Sequence, residues 1–226
     1  MKEFNLDQEE IRGLNQHLHD MPSTDPNGSV TVTNPAGKHA LAVGIDTPAE
    51  VTIEGHVGYY CAGMNQQATV HINGNAGPGL AENMMSGKVI VSGNASQYCG
   101  ATAHGGLLVI RGDASSRCGI SMKGVDIVVG GNVGHMSAFM AQTGRLVVCG
   151  DAGAALGDSI YEARLYVRGS VANLGADCIE KEMGEEHLQE VTELLEAAGM
   201  TDCKASDFRR YGSARQLYHF NIDNAY

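Results

Sequence analysis

Seven glycines recur at one fixed interval: Gly55, Gly74, Gly93, Gly112, Gly131, Gly150 and Gly169, each 19 residues after the last. The segments that hold them read VTIEGHVG, VHINGNAG, VIVSGNAS, LVIRGDAS, IVVGGNVG, LVVCGDAG and LYVRGSVA. No insertion interrupts the interval, so residues 51–183 form a repeat array, and the fold must be one that stacks equivalent units.

The columns of the repeat say what each unit is. Four residues before the glycine stand Val51, Val70, Val89, Leu108, Ile127, Leu146 and Leu165; two before it stand Ile53, Ile72, Val91, Ile110, Val129, Val148 and Val167. All are aliphatic and most are β-branched, at period two, which is one buried face of a short strand. One residue after the glycine come His56, Asn75, Asn94, Asp113, Asn132, Asp151 and Ser170, side chains that bond nearby backbone in turns. Two after it only Val or Ala occurs. Seven after it only Ala or Gly occurs: Ala62, Ala81, Gly100, Gly119, Ala138, Gly157 and Ala176. That column predicts a tight corner where a larger side chain clashes.

A 19-residue unit containing a strand is too short for a helical hairpin or a propeller blade, and the signature of leucine-rich repeats is absent. The pattern predicts an all-β solenoid, a single-stranded parallel, right-handed β-helix of about seven coils. Coils stacked about 4.8 Å apart give a rod of roughly 34 Å. One coil cannot bury its own aliphatic residues; its neighbours do so.

Such a rod has two open ends, and its flanks read as covers for them. Residues 1–50 contain a helix predicted over 7–19, with Asp7 and Glu10 at capping-box spacing and Ile11, Leu14 and Leu18 on one face. A loop, PSTDPNGS, then leads through VTVT and ALAVG into an irregular first coil. Residues 184–226 hold an amphipathic helix with the stripe Leu188, Val191, Leu194 and Leu195, stopped by Gly199. Its tail carries Arg209, Arg210 and Arg215 among Tyr211, Tyr218, Phe220 and Tyr226, and is expected to dock on the rod or on a partner.

Composition narrows the function. The chain has 226 residues, a net charge of −11, 30 glycines and no tryptophan. An acidic balance argues against a nucleic-acid partner and against an anionic membrane surface. The first ten residues have no apolar signal core, and no 18-residue apolar run occurs, so a cytoplasmic protein is expected.

Motifs that suggest chemistry dissolve into the repeat. GNAGPG at 74–79 resembles a phosphate loop, but Gly74 is the repeat glycine and no helix follows; SGKV around Lys88 lacks the upstream glycine of a P-loop. Of six cysteines none forms C-x-x-C. Cys61, Cys99 and Cys118 share the column that holds Leu80 and Leu156, which predicts buried, inert thiols. The nine histidines fall in different phases, and no catalytic triad or carboxylate pair is apparent. Carbohydrate-active β-helices need clustered charges on one long face, and the repeat columns are expected to hold none. No catalytic, cofactor-binding or metal-ligating residue is therefore assigned. A less regular stretch lies five to twelve residues after each glycine. It gathers Tyr60, Tyr98, Met84, Met85, Met122, Met136, Phe139 and Met140, either as adaptable contact surface or as the third side of the core.

The segments SGNASQYCGATAHGGLLVIRG (92–112) and GNVGHMSAFMAQTGRLVVCGDAGAALGDS (131–159) resemble the GXGXG β-helix domain of the glutamate synthase family. So do GYYCAGMN, AENMMSG, LGADCIEKEM and FRRYGSARQLYHF. The resemblance covers nearly the whole chain. It is closest to the stand-alone form of that domain, the β-helix subunit of methylamine–glutamate N-methyltransferase (N-methylglutamate synthase). It implies a non-catalytic subunit, with no bound cofactor of its own, of a three-chain enzyme whose partners are an amidotransferase-like subunit and an FMN-binding glutamate-synthase-like subunit. The assembly would convert methylamine and L-glutamate to N-methylglutamate and ammonia. The alternatives are a glutamate-synthase-type subunit using ammonia from glutamine, or the related β-helix subunit of formylmethanofuran dehydrogenase.

Overall fold

In a computed structural model of the chain, residues 2–216 are described. The repeat folds as read. Strands β1 (Lys2–Asn5), β2 (Ser29–Thr33), β3 (Glu50–Glu54), β4 (Thr69–Ile72), β5 (Lys88–Val91), β6 (Leu107–Ile110), β7 (Lys123–Val129), β8 (Thr143–Val148) and β9 (Arg164–Val167) run in order through one parallel sheet. The register joins equivalent columns: Val51 pairs with Val70, Val70 with Val89, Val89 with Leu108, and so on to Leu146 with Leu165. Both aliphatic columns are buried, and they line one continuous interior. The irregular first coil is present, with Val30 and Val32 opposite Val51 and Ile53.

A second ladder of parallel bridges runs through the Val/Ala column, from Val57 through Ala76, Ala95, Ala114, Val133 and Ala152 to Val171. Beside it the Asn/Asp column does more than shape turns. Each side chain accepts the backbone N–H of its counterpart one coil on, as Asn75 Oδ1 does from Asn94 at 2.8 Å and Asp113 Oδ1 from Asn132 at 2.7 Å. The repeat glycine lies under this contact. A Cβ at Gly112 would overlap Asn94 Oδ1.

The predicted tight corner is left-handed backbone, and it is wider than one column. Tyr60, Ala62 and Met64 have φ near +60°, and so do Tyr98, Gly100 and Thr102 and their counterparts in other coils. The alternation turns successive amides toward opposite neighbours. Tyr60 donates to Pro78 and Met64 to Glu82 in the next coil, while Ala62 donates to Leu41 in the previous one. The corner thus satisfies its backbone without extended strands.

The ends differ from expectation in three ways. The first helix, α1 (Ile11–Thr24), starts later than residue 7 and runs through Pro22. Residues 2–5 are a strand, and the Asn5 carbonyl accepts the amides of Gln8 and Glu9, so 7–10 make a turn instead of a first helical turn. Leu14, Leu18 and Met21 of α1 pack into the rod interior beside Phe4 and Leu41, covering the first coil as predicted.

The second helix, α2 (Glu185–Ala198), ends at Gly199 in the left-handed conformation, as its sequence predicts. It does not cap an end. Val191, Leu194, Leu195 and Ala198 lie on the outer face of the sheet against Val109, Val128, Val147 and Tyr166. Lys88 Nζ reaches the Ala197 carbonyl at 2.8 Å, and Arg111 reaches that of Gly199 at 2.8 Å, cations at the helix C-terminus. His187, not Leu188, is the buried first-turn residue.

The far end is closed by strands. β11 (Arg209–Ser213) pairs antiparallel with β9 where an eighth coil would stack, and β10 (Cys178–Lys181) pairs on its other side. Arg209, Arg210 and Tyr211 of the tail therefore dock on the rod; Tyr218, Phe220 and Tyr226 lie outside the described residues. No helix among the described residues is long and apolar enough to cross a membrane.

Candidate functional site

The motifs that suggested chemistry in the sequence are consumed by packing. Within GNAGPG the amides of Ala76, Gly77 and Gly79 bond to Asn94, Val57 and Gln97, so none is directed at a phosphate. Among the described residues no group of three His, Cys, Asp or Glu side chains is placed to hold a metal ion. Histidines serve local geometry. His56 Nδ1 begins the side-chain ladder by accepting the Asn75 amide at 2.9 Å, and His39 Nδ1 accepts that of Tyr59 at 3.1 Å with the rings 4.2 Å apart. His187 Nδ1 accepts the Gly184 amide at 3.1 Å, closing the start of α2.

The cysteine column is buried: Cys61, Cys99 and Cys118 are fully enclosed and free. Burial pushes the Cys61 thiol up to about 12. The Cys118 thiol is raised first by its hydrogen bond with Cys99 on the adjacent coil and then by burial. Such thiols stay protonated and unreactive.

One expectation fails. Charged residues do cluster on a long face. Asp126, Arg145 and Arg164 occupy one column, five before successive repeat glycines, and with Glu162 and Glu190 they line an open cleft of about 400 Å³ beside α2. The column was legible as 19-residue spacing, but its upper members are Glu50, Thr69, Lys88 and Leu107, which dilute the signal. Arg145 forks onto Asp126 with Nε–Oδ1 2.7 Å and Nη2–Oδ2 2.6 Å. Glu190 accepts from Arg164 and, at 2.6 Å, from the Tyr166 hydroxyl. Burial first, and the hydrogen bond to Glu190 second, raise the Tyr166 phenol above its ordinary range. Arg215 pairs with Glu162 at 3.0 Å. Each carboxylate in the cleft is matched by a guanidinium. The cleft ties α2 and the tail to the sheet.

The Met- and Tyr-rich stretch is split between the two readings open from sequence. Met84 and Met122 fill the core. Tyr59 (53% exposed), Met64 (44%), Met85 (47%) and Met140 (37%) stand out along one corner of the rod. Over the five stretches 60–67, 79–86, 98–105, 117–124 and 136–143, the charged residues are Glu82, Arg117 and Lys123 alone. A chain carrying 18% charged residues thus presents a nearly uncharged corner. Depletion of charge with enrichment of Met and Tyr marks the cores of protein–protein interfaces.

No protein-family model matches the chain. It is 63% identical over 215 residues to Protein GlxC of Rhizobium meliloti (strain 1021), an alignment that spans 95% of this chain and 94% of that protein.

Proposed function

Since the chain belongs to the family of Protein GlxC, we propose that it acts as a non-catalytic assembly subunit of a glutamate-synthase-like enzyme, methylamine–glutamate N-methyltransferase. Its partners in this reading are an amidotransferase-like chain and an FMN-binding chain, and the rod holds them in fixed relation so that a small amine stays enclosed between their sites. The FMN belongs to the partner. The observation that carries the reading is the uncharged corner with Tyr59, Met64, Met85 and Met140 exposed along it. A stacked solenoid whose coils are joined by backbone ladders presents that corner with little ordering left to lose on association. The resemblance of the sequence outside the glycine columns supplies the partners and the reaction.

Reconstitution tests it. The purified chain is assayed for methylamine-dependent formation of N-methylglutamate, alone and with the two partner chains. Turnover confined to the three-chain mixture, with co-elution on a sizing column, is the expected result. Turnover by this chain alone, or full turnover by the partners without it, overturns the reading.

A further inference from the structure

The six cysteines do not share one environment. Cys99 and Cys118 face each other inside the rod, both fully buried and without a cation beside them. Cys149 and Cys203 form the second close pair, and theirs lies at the edge of the α2 interface. Cys149 closes the turn after β8 and packs in the outer apolar cluster, against which Cys203, in the loop after α2, also packs. The Cys203 amide donates to the Met200 carbonyl at 3.4 Å, so both cysteines flank Met200, and Cys203 is, after burial, the neighbour that raises the Cys149 thiol. Met200 Sδ lies 4.0 Å from Cys149 Sγ and shields that side. Arg168 Nη1 donates to Cys203 Sγ at 3.0 Å. Cys203 is only half-buried, and a cleft of about 170 Å³ lined by Thr192, Glu196, Cys203 and Lys204 opens onto it.

We propose that Cys203 and Cys149 form a peroxide-responsive thiol pair, with Cys203 as the reacting thiol and Cys149 as its resolving partner. The roles follow from placement. A thiolate is the nucleophile, and reactive cysteines occupy partly exposed, electropositive positions next to a second thiol. Arg168 supplies positive charge at Cys203, and the cleft, lined by both Lys204 and Glu196, supplies access. Cys149 is enclosed, and burial holds its thiol up at about 12, so it remains protonated until a sulfenic acid forms beside it.

The chemistry balances with hydrogen peroxide as oxidant. The Cys203 thiolate attacks one peroxide oxygen, the O–O bond breaks, and the departing hydroxide takes up a proton as water. Cys149 then loses its proton and attacks the Cys203 sulfur; the S–O bond breaks, and that hydroxide and proton leave as a second water. Two thiols give up two electrons to one peroxide, and the new S–S bond joins the end of β8 to the loop after α2. A dithiol reductant reverses it. The bond would pin the C-terminal end of α2 to the sheet.

The full chain is treated with hydrogen peroxide, blocked with an alkylating reagent, digested and analysed by mass spectrometry. The expected product is a Cys149–Cys203 linked peptide that disappears on reduction, while Cys99 and Cys118 stay alkylatable after unfolding. Arg168→Gln, a surface change, should slow the linkage at least fivefold. Cys149→Ala should convert the product to sulfinic acid at Cys203 instead of a crosslink. Oxidation spread equally over all six cysteines, a Cys99–Cys118 link forming first, or an unchanged rate in Arg168→Gln overturns the proposal. The last of these does not depend on the folding of the core variant.

Discussion

Asn94 Oδ1 accepts the backbone N–H of Asp113, one coil further along the rod, at 2.8 Å. The same bond is made by Asn75 to Asn94, Asp113 to Asn132, Asn132 to Asp151, and Asp151 to Ser170. The Asn/Asp column and the glycine column are therefore one device. The side chain crosses to the next coil through space that only glycine leaves open.

That coupling predicts non-additive stability. Gly112→Ala places a methyl on Asn94 Oδ1 and near the Gly93 carbonyl, and should destabilise the rod by about 1–3 kcal/mol. In an Asn94→Gly background the first clash is gone, and the same change should cost clearly less. Chemical denaturation of the four proteins of this double-mutant cycle checks it; additive losses would show that the two columns act independently.

Val128 and Val129 are neighbours on β7 that face opposite ways, and both are fully buried. Val129 lines the rod interior, whereas Val128 lies beneath α2. Val129→Asp buries an unpaired carboxylate within the stack, costs several kcal/mol and should abolish the cooperative unfolding transition of the rod. Val128→Asp should release α2 and leave the rod folded. Amide hydrogen exchange distinguishes them, with protection lost over 185–198 alone in the second variant.

Asp151 predicts a pH dependence. Hydrogen bonds from the Ser170 amide, at 2.6 Å, and from its hydroxyl, at 2.9 Å, hold the exposed carboxyl below its ordinary value of 3.8. A carboxyl depressed in the folded state stabilises the fold above its unfolded value, and that stabilisation is lost as pH falls through the folded value. Asp151→Asn keeps the acceptor but removes the titration. Its melting temperature should fall less than that of the parent below pH 4. Parallel pH profiles would sink the assignment.

The uncharged corner predicts a separation of binding from folding. Met64→Glu with Met85→Glu places two carboxylates at exposed positions, so the melting temperature should change little. On the proposed three-chain assembly, co-elution with the two partner chains and turnover of the mixture should fall at least tenfold. Full assembly by this variant would move the contact surface elsewhere on the rod.

Parts of this arrangement are legible in the residues themselves. The strand faces, the register and the irregular first coil follow from aliphatic columns at period two inside a period of 19. The side position of α2 is also present as a signal. Three residues before each glycine the column changes from Thr52 and His71 to Ile90, Val109, Val128, Val147 and Tyr166, an apolar outer face that needs a cover. That pattern reports a surface to be buried but not which segment buries it. The charged column of Asp126, Arg145 and Arg164 is equally visible as spacing, yet only Glu190 on α2 and Glu162 beside it make it a cleft.

Period and phase were determined by the sequence alone, because stacking repeats each side chain against its own counterpart and makes a long-range contact behave as a local rule. Where that symmetry stops, tertiary structure decided. It placed α2 across the sheet instead of over its end, inserted β11 between β9 and β10, and brought Cys203 to Cys149. Those contacts join segments that occur once, so no repeat reinforces them. They are settled by which exposed apolar face and which open strand edge residues 178–216 can reach.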